Sequence, residues 1–395
     1  IYLKKNYSLR EKILKMFSNQ YGNLRISYFD KIKSVNYFLL FLILILFSFG
    51  LLALYSVADE NFNSWPKNHL YRFLIGLFGI FFLSLIDIRT IFRFAYPIFI
   101  LNLLVLAIIP LIGTETYGAT RWIKIWGFSI QPSEFIKYTL ILALAKYYHS
   151  IQDDDVNSIR KLIIPILIIA IPSFIVLTQP DLGTAVMIAL GSISIFWVVG
   201  LYYRYFIFLF TLGIGSIPIA WQFLRDYQKD RVFTFFNPER DPLGNGYHIL
   251  QSKIALGSGG LFGKGYLDGT QSHLSFLPEM HNDFIFTVFG EEFGFIGTIS
   301  LLIIYLIIIL ISFRMAFMSR SPFARYLSVG VTSVFSIYVF VNISMVTGLI
   351  PVVGVPLPFL SYGGSSMLAV MCGFGLLMNC YIHQKINLEK GDFFN

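Results

Sequence analysis

Charge is scarce in this sequence. Asp, Glu, Lys and Arg supply 13% of its 395 residues, about half the share of an ordinary soluble domain, which is roughly 25%. Cysteine is nearly absent: Cys372 and Cys380 are the only two. They lie about 12 Å apart along one helix axis, too far for a disulfide, and no C-x-x-C or Cys/His spacing suggests zinc. Also missing is any hydrophilic stretch long and varied enough to bury a core of its own. These absences exclude a chain of soluble domains, a disulfide scaffold and a zinc module, although length alone would suggest roughly two or three domains.

What is present is apolar. Hydrophobic residues make up 56% of the chain and mean hydropathy is +0.69. A spanning helix needs about 20 mostly apolar residues, and runs of that kind fall at 36–57, 69–86, 94–112, 130–148, 160–177, 182–201, 204–222, 284–313, 325–349 and 364–384. The fourth is the weakest, because Glu134 and Lys137 stand in its first turns. The expected fold is an all-α integral membrane protein of about ten transmembrane helices. It has a basic tail (1–35), a single membrane domain (36–386) and a short C-terminal tail (387–395). A long outer loop (223–283) joins spans seven and eight, and a re-entrant element joins spans nine and ten.

Basic residues orient it. Lys4, Lys5, Arg10, Lys12, Lys15, Arg25, Lys31 and Lys33 share one side with Arg89, Arg93, Lys146, Arg160, Lys161, Arg204, Arg314, Arg320, Arg325, Lys385 and Lys390. That side is expected to be cytoplasmic and to hold both termini. The tail is polar ahead of the first span and so does not read as a cleaved signal peptide. Its charge reads as a topology signal and a contact for anionic lipid, and no nucleic-acid partner is expected.

Candidate chemistry gathers on the other side. In GTETYGATRWIKIWGFSIQPSEFIK (113–137), Arg121, Trp122, Lys124 and Trp126 are expected at interface depth. Gln131-Pro132 opens a helix on which Glu134 and Lys137, three apart, share a face. An aromatic belt with a structural ion pair explains Lys124 and Trp126. Charges as deep as Glu134 and Lys137 point instead to a cavity or pathway. The loop segment QSKIALGSGGLFGKGYLDGTQSHLSFLPE (251–279) is no phosphate loop: Ser258 stands where glycine is needed, and Gly265 where Ser or Thr is needed. It is expected to lie on the membrane as short amphipathic pieces. His248, His273 and His281, with Asp268 and Glu279, match no standard metal spacing.

Asp283, in FLPEMHNDFIF (276–286), stands at the mouth of a span. It reads either as a helix N-cap or as a carboxylate tuned toward general-base work by partial desolvation and nearby cations. GLIPVVGVPLPFLSYGGSS (348–366) carries three prolines and no charge between two spans. Such irregular backbone is tolerated at membrane depth only inside protein or along a cavity.

GATRWI (118–123), QPSEFIK (131–137), the 251–279 segment, HNDFIF (281–286) and VPLPFLSYGGSS (355–366) together resemble the SEDS family of cell-wall proteins. The match runs in order through about 36–386, and GKGYLDGTQSHLSFLPE is more like the elongation branch than the division branch. Met280 and Asn282 depart from the family's Arg and Thr.

The resemblance implies a multi-pass inner-membrane glycosyltransferase that polymerises lipid II into peptidoglycan. Asp283 would be the catalytic base. Glu134, Lys137, Arg121, Trp122, Gln131 and Lys253 would bind substrate, with Lys137 and Arg121 stabilising the departing pyrophosphate and Glu134 holding Lys137. It implies no certain cofactor beyond a divalent cation, Mg2+ or Mn2+, with no preformed metal site. Its partners would be a class B penicillin-binding protein and other elongation-complex membrane proteins. Small residues in 328–344 and 365–375 suggest a docking face on the last two spans. A lipid-linked precursor transporter, a division-type paralogue and a scaffold are the alternatives.

Overall fold

The computed structural model describes residues 27–116, 119–125, 128–152, 155–240, 244–270 and 280–388. A short helix α1 (Tyr28–Lys33) precedes the first span, α2 (Tyr37–Val57), whose first turn is capped by the Asn36 side chain. Then follow α3 (Trp65–Leu85) and α4 (Ile88–Ile112), strands β1 (Thr114–Thr116), β2 (Ala119–Ile125) and β3 (Phe128–Ile130), and α5 (Pro132–Ser150). After α6 (Ile159–Thr178), α7 (Leu182–Val199) and α8 (Tyr203–Phe223) comes the long loop with α9 (Asp226–Phe236) and α10 (Asn245–Ser258). Helices α11 (Ile285–Met318), α12 (Pro322–Val346) and α13 (Gly364–Ile382) complete the bundle.

Nine of these helices are long and apolar enough to cross a membrane among the described residues. The remaining candidate, α5, fails that measure because it carries Glu134, Lys137 and Lys146. It is nevertheless central: only Phe135, Thr139 and Ser150 of its residues are not buried. A helix surrounded by other helices faces no lipid, so its charges are solvated by protein groups. At the opposite extreme α8 has no buried residue at all and stands at the rim. Both described ends of the chain meet at one end of the bundle, where Lys31 Nζ donates to Leu85 O (2.7 Å) and Arg320 N–H donates to Gln384 O (2.9 Å).

The sequence did not signal the sheet at the other end. β2 pairs antiparallel with both β1 and β3, so Trp122 lies opposite Thr114 and Ile123 opposite Ile130. Trp126 lies outside the described residues.

The glycine-rich segment after α10 has a definite task. α11 is broken at Gly294 (φ 67°, ψ −164°), and a break at membrane depth orphans backbone groups that lipid cannot satisfy. Residues 260–265 supply the partners. Lys264 and Gly265 N–H donate to Glu291 and Glu292 O (3.0 and 3.2 Å), and Phe295 and Ile296 N–H donate to Gly260 and Leu261 O (2.9 and 3.1 Å). The approach is so close that a Cβ on Gly263 would overlap the Glu292 carbonyl. Each carboxylate meets a partner in place: Glu291 forms an ion pair with Lys264 (2.6 Å), and Glu292 accepts a hydrogen bond from Ser56 on α2.

The 350–363 stretch is re-entrant as expected. Its carbonyls are held from three helices: Phe359 O by His69 Nε2 (3.1 Å), Pro358 O by Tyr305 (2.6 Å) and Val355 O by Asn342 (2.7 Å). It reaches in far enough that the Phe359 carbonyl packs on Gly50, midway along α2.

Candidate functional site

Asp283 closes a turn, residues 280–284, that delivers the chain into α11. The N-cap position falls on Phe284, so the structure does not give Asp283 the capping place that composition allowed. It is half-buried. Its backbone oxygen accepts from Asn342 Nδ2 (3.0 Å). Its carboxylate lies against Gly354 of the re-entrant segment, where an added Cβ would stand 3.4 Å from Oδ2. Gly354 has φ 74°, a left-handed conformation that glycine adopts without strain. Two residues earlier, His281 O accepts from Tyr362 N–H (2.8 Å), and the His281 ring stacks on Trp65 (4.4 Å). Arg72 on α3 lies over the Tyr362 ring (4.4 Å).

Glu134 and Lys137 form the ion pair that their spacing predicts, with Lys137 Nζ 2.9 Å from Glu134 Oε1. The pair is bound by a residue that sequence reasoning missed. Tyr338 of α12 donates to the other carboxylate oxygen and also bonds Lys137, whose ammonium lies over the phenol ring (4.5 Å). All three side chains are buried. The Lys137 ammonium is thus engaged inside the bundle by Glu134 and Tyr338.

Arg121 extends from β2 across to the turn before α7. Its Nε and Nη2 donate to the carbonyls of Gln179 (2.7 Å) and Pro180 (2.6 Å), and its Nη1 lies 3.7 Å from Asp181. Gln131 Nε2 donates to the same carboxylate (3.3 Å), while Asp181 caps α7 through Thr184 N–H (3.1 Å). Arg121 and Gln131 thus converge on Asp181, which sequence reasoning did not single out. A Pro-Asp pair ahead of an apolar run is the signal that would have found it. A quarter of the Arg121 side chain remains exposed. Trp122 is half-buried beside it.

Lys253 is exposed on α10 and lies against Gly348, two residues before the re-entrant stretch. Its neighbour Ser252 is buried and bonds both Thr287 of α11 (2.8 Å) and Val346 O of α12 (2.8 Å). Tyr338, Asn342 and Val346 are spaced by four and so lie along one face of α12. That face touches the ion pair, the Asp283 turn and α10 in order. Along it are strung the Glu134–Lys137 pair, the Asp283 turn and α10, the helix that carries Lys253, while Arg121 and Gln131 converge on Asp181 at the start of α7.

Among the described residues no group of three or more His, Cys, Asp or Glu could hold a metal ion. His273 and Glu279 lie outside those residues.

The small residues of the last two spans mostly serve the chain's own packing, a correction to the docking expectation. A Cβ on Gly373 would meet the Tyr138 ring (2.5 Å), and one on Gly330 would meet Ile141 (2.5 Å). Ser333 is half-buried.

A family model for FtsW, RodA and SpoVE, described as "Cell cycle protein", matches residues 34–386. "Peptidoglycan glycosyltransferase MrdB" of Escherichia coli (strain K12) is 38% identical over 349 residues, covering 88% of this chain and 94% of the relative. "Stage V sporulation protein E" of Bacillus subtilis (strain 168) is 36% identical over 359 residues, covering 88% and 97%. Among solved structures, a chain from "Structural coordination of polymerization and crosslinking by a peptidoglycan synthase complex" superposes with a TM-score of 0.77. It is 29% identical, with 88% of this chain and 97% of that one covered. The Thermus thermophilus "Rod shape determining protein RodA" gives a TM-score of 0.67 at 27% identity, covering 89% and 97%.

Proposed function

The chain belongs to the FtsW/RodA/SpoVE family, and from that premise we propose that it is a peptidoglycan glycosyltransferase of cell elongation, polymerising lipid II at the outer face of the inner membrane. The observation that carries this reading is Asp283, a half-buried carboxylate fixed from behind by α12 and laid against the re-entrant segment at the bundle's sheet-bearing end.

Joining a sugar 4-hydroxyl to an anomeric carbon, with an α-linked pyrophosphate leaving and a β-bond forming, is an inverting displacement. It needs a base for the incoming hydroxyl and cations for the leaving group. Asp283 takes the hydroxyl proton. Arg121, a quarter of whose side chain is exposed, and the exposed Lys253 take the pyrophosphate. Lys137 acts through the buried cluster with Glu134 and Tyr338, holding α5 and α12 in register, a more indirect part than sequence reasoning gave it. Gln131 and Trp122 shape the α5/α7 wall. Among the described residues no cluster of carboxylates stands ready for a metal, so a divalent cation would be held chiefly by the substrate's own pyrophosphate oxygens. A divalent cation, Mg2+ or Mn2+, would supply charge neutralisation at the leaving group.

The basic residues at the end of the bundle where both described ends of the chain meet support a cytoplasmic location for that end. Membership in a synthase complex, as described for the structural relative, supports a class B penicillin-binding protein as partner. Transport of the lipid-linked precursor would need a polar path to the far end. On the central helix α5 the run Leu140 to Ala145, about 9 Å long, is buried and wholly apolar and offers no polar group to such a path.

The test is polymerisation of purified lipid II by the purified protein, read as glycan strands on a gel. Strands made by the wild type and lost with Asp283→Asn support the reading, and full-length strands from Asp283→Asn contradict it.

A further inference from the structure

Two backbone carbonyls from separate parts of the chain meet at one side chain. Asn342 Nδ2 donates to Asp283 O (3.0 Å) and to Val355 O (2.7 Å), and the side chain has no solvent exposure. A side-chain amide carries two donors on a single nitrogen, and asparagine is the shortest residue with one. A carboxylate here would face two acceptors, and an aliphatic side chain would leave both carbonyls unpaired. The Oδ1 atom of Asn342 has no hydrogen-bond partner among the described residues. The amide is therefore oriented by what it donates to, and the network fixes which atom is nitrogen.

The second carbonyl belongs to the residue after Gly354, the glycine on which the Asp283 carboxylate rests. One nitrogen thus ties down the backbone of Asp283 and also the peptide that supports its side chain. Tyr362 N–H, donating to His281 O (2.8 Å), closes the far side of the same loop. Asn342 also stands one turn from Tyr338, which holds the Glu134–Lys137 pair. The register of α12 therefore sets the base turn relative to that cluster.

We propose that Asn342 is a positioning residue for the transfer reaction, acting through Asp283: it locks the base turn and the re-entrant segment into one unit. The inference rests on Asp283 being the base. A group displaced by 1 Å from its productive place can lower a rate about 10²-fold, and that is the effect expected when the lock is removed.

The experiment compares wild type, Asn342→Leu, Asn342→Ser and Asp283→Asn as purified full-length proteins. Initial rates are measured across lipid II concentrations, and amide hydrogen exchange is followed in peptides covering 280–286 and 350–357. Asn342→Leu is expected to lower kcat about 10²-fold with KM within about twofold, and to speed exchange in both peptides together. Asn342→Ser keeps one donor and should fall between; it carries the test if the Leu variant does not fold. Wild-type kcat in these variants overturns the inference, as does a fall in kcat with unchanged exchange at the two segments. Activity of Asn342→Ser that falls only in proportion to lost folded protein also overturns it. An active Asp283→Asn refutes the base reading itself. An inactive Asp283→Asn beside a wild-type kcat at position 342 refutes only the lock.

Discussion

Replacing Lys137 alone should damage the protein more than replacing Lys137 and Glu134 together. Lys137 and Glu134 side chains are 2% and 8% exposed, 2.9 Å apart, and Tyr338 bonds both. With Lys137→Met, the Glu134 carboxylate keeps the Tyr338 hydroxyl and loses its only ion-pair partner among the described residues. Breaking a buried pair from one side costs about 3–5 kcal/mol, and Glu134→Gln should cost a similar amount by stranding the ammonium. The double variant Glu134→Gln/Lys137→Met removes both charges, and its amide can still bond Tyr338. Its loss should be about 1 kcal/mol or less, since well-packed neutral replacements of buried pairs are often tolerated. Tyr338→Phe deletes one hydrogen bond to a buried carboxylate, about 1–3 kcal/mol. Thermal unfolding of the purified proteins in detergent reads all four. A double variant as unstable as the sum of the singles would show that the charges do not compensate each other, and the account of the cluster would fail. Activity gives the second half: since the cluster acts by holding α5 and α12 in register, the stable double variant should regain much of the activity that the single variants lose, and a stable but inactive double variant would show that the charges do more than hold the two helices.

Gly294→Ala should destabilise by roughly 2 kcal/mol or more, because Gly294 holds a conformation essentially restricted to glycine and a Cβ there would overlap Gly263 N; an unfolding temperature equal to wild type would refute the fitted break in α11. His383, buried just past α13 with Nδ1 2.9 Å from Asn379 O, has its pKa lowered by burial, with Lys31, Asp87 and Arg89 nearby. The folded protein then keeps it neutral while the unfolded chain takes a proton, so stability present above the ordinary pKa of about 6.5 is lost as pH falls below it. His383→Gln should flatten that acid slope, and an unchanged slope between pH 7 and 5 would assign it elsewhere.

The spans were legible because each needs about 20 apolar residues and little else reads that way. Their ends were less so. α3 begins at Trp65 and α4 at Ile88, earlier than hydropathy suggests, because turns rich in Lys, His and Arg are helical where they meet the interface. The strands of 114–130 escaped notice because two of them have three residues each, too few for a period to show. Asp283, Glu134 and Lys137 were visible as charges out of place in apolar sequence. Tyr338 and Asn342 were not, since a lone tyrosine and a lone asparagine in an apolar run look like tolerated exceptions. Their four-residue spacing was the available clue. Arg121 shows a limit of another kind: the carbonyls it bonds belong to Gln179 and Pro180, and backbone acceptors leave no trace in composition.

The central claim is that Asp283 is the base for glycan polymerisation. The most direct test is the rate at which purified Asp283→Asn polymerises purified lipid II, beside wild type and matched for folded protein. The change is nearly isosteric. It leaves the backbone carbonyl that Asn342 holds and spares the cap at Phe284. The account predicts a loss on the order of 10²–10⁴-fold with an unfolding temperature close to wild type. A well-folded Asp283→Asn protein that makes glycan strands at the wild-type rate would contradict it.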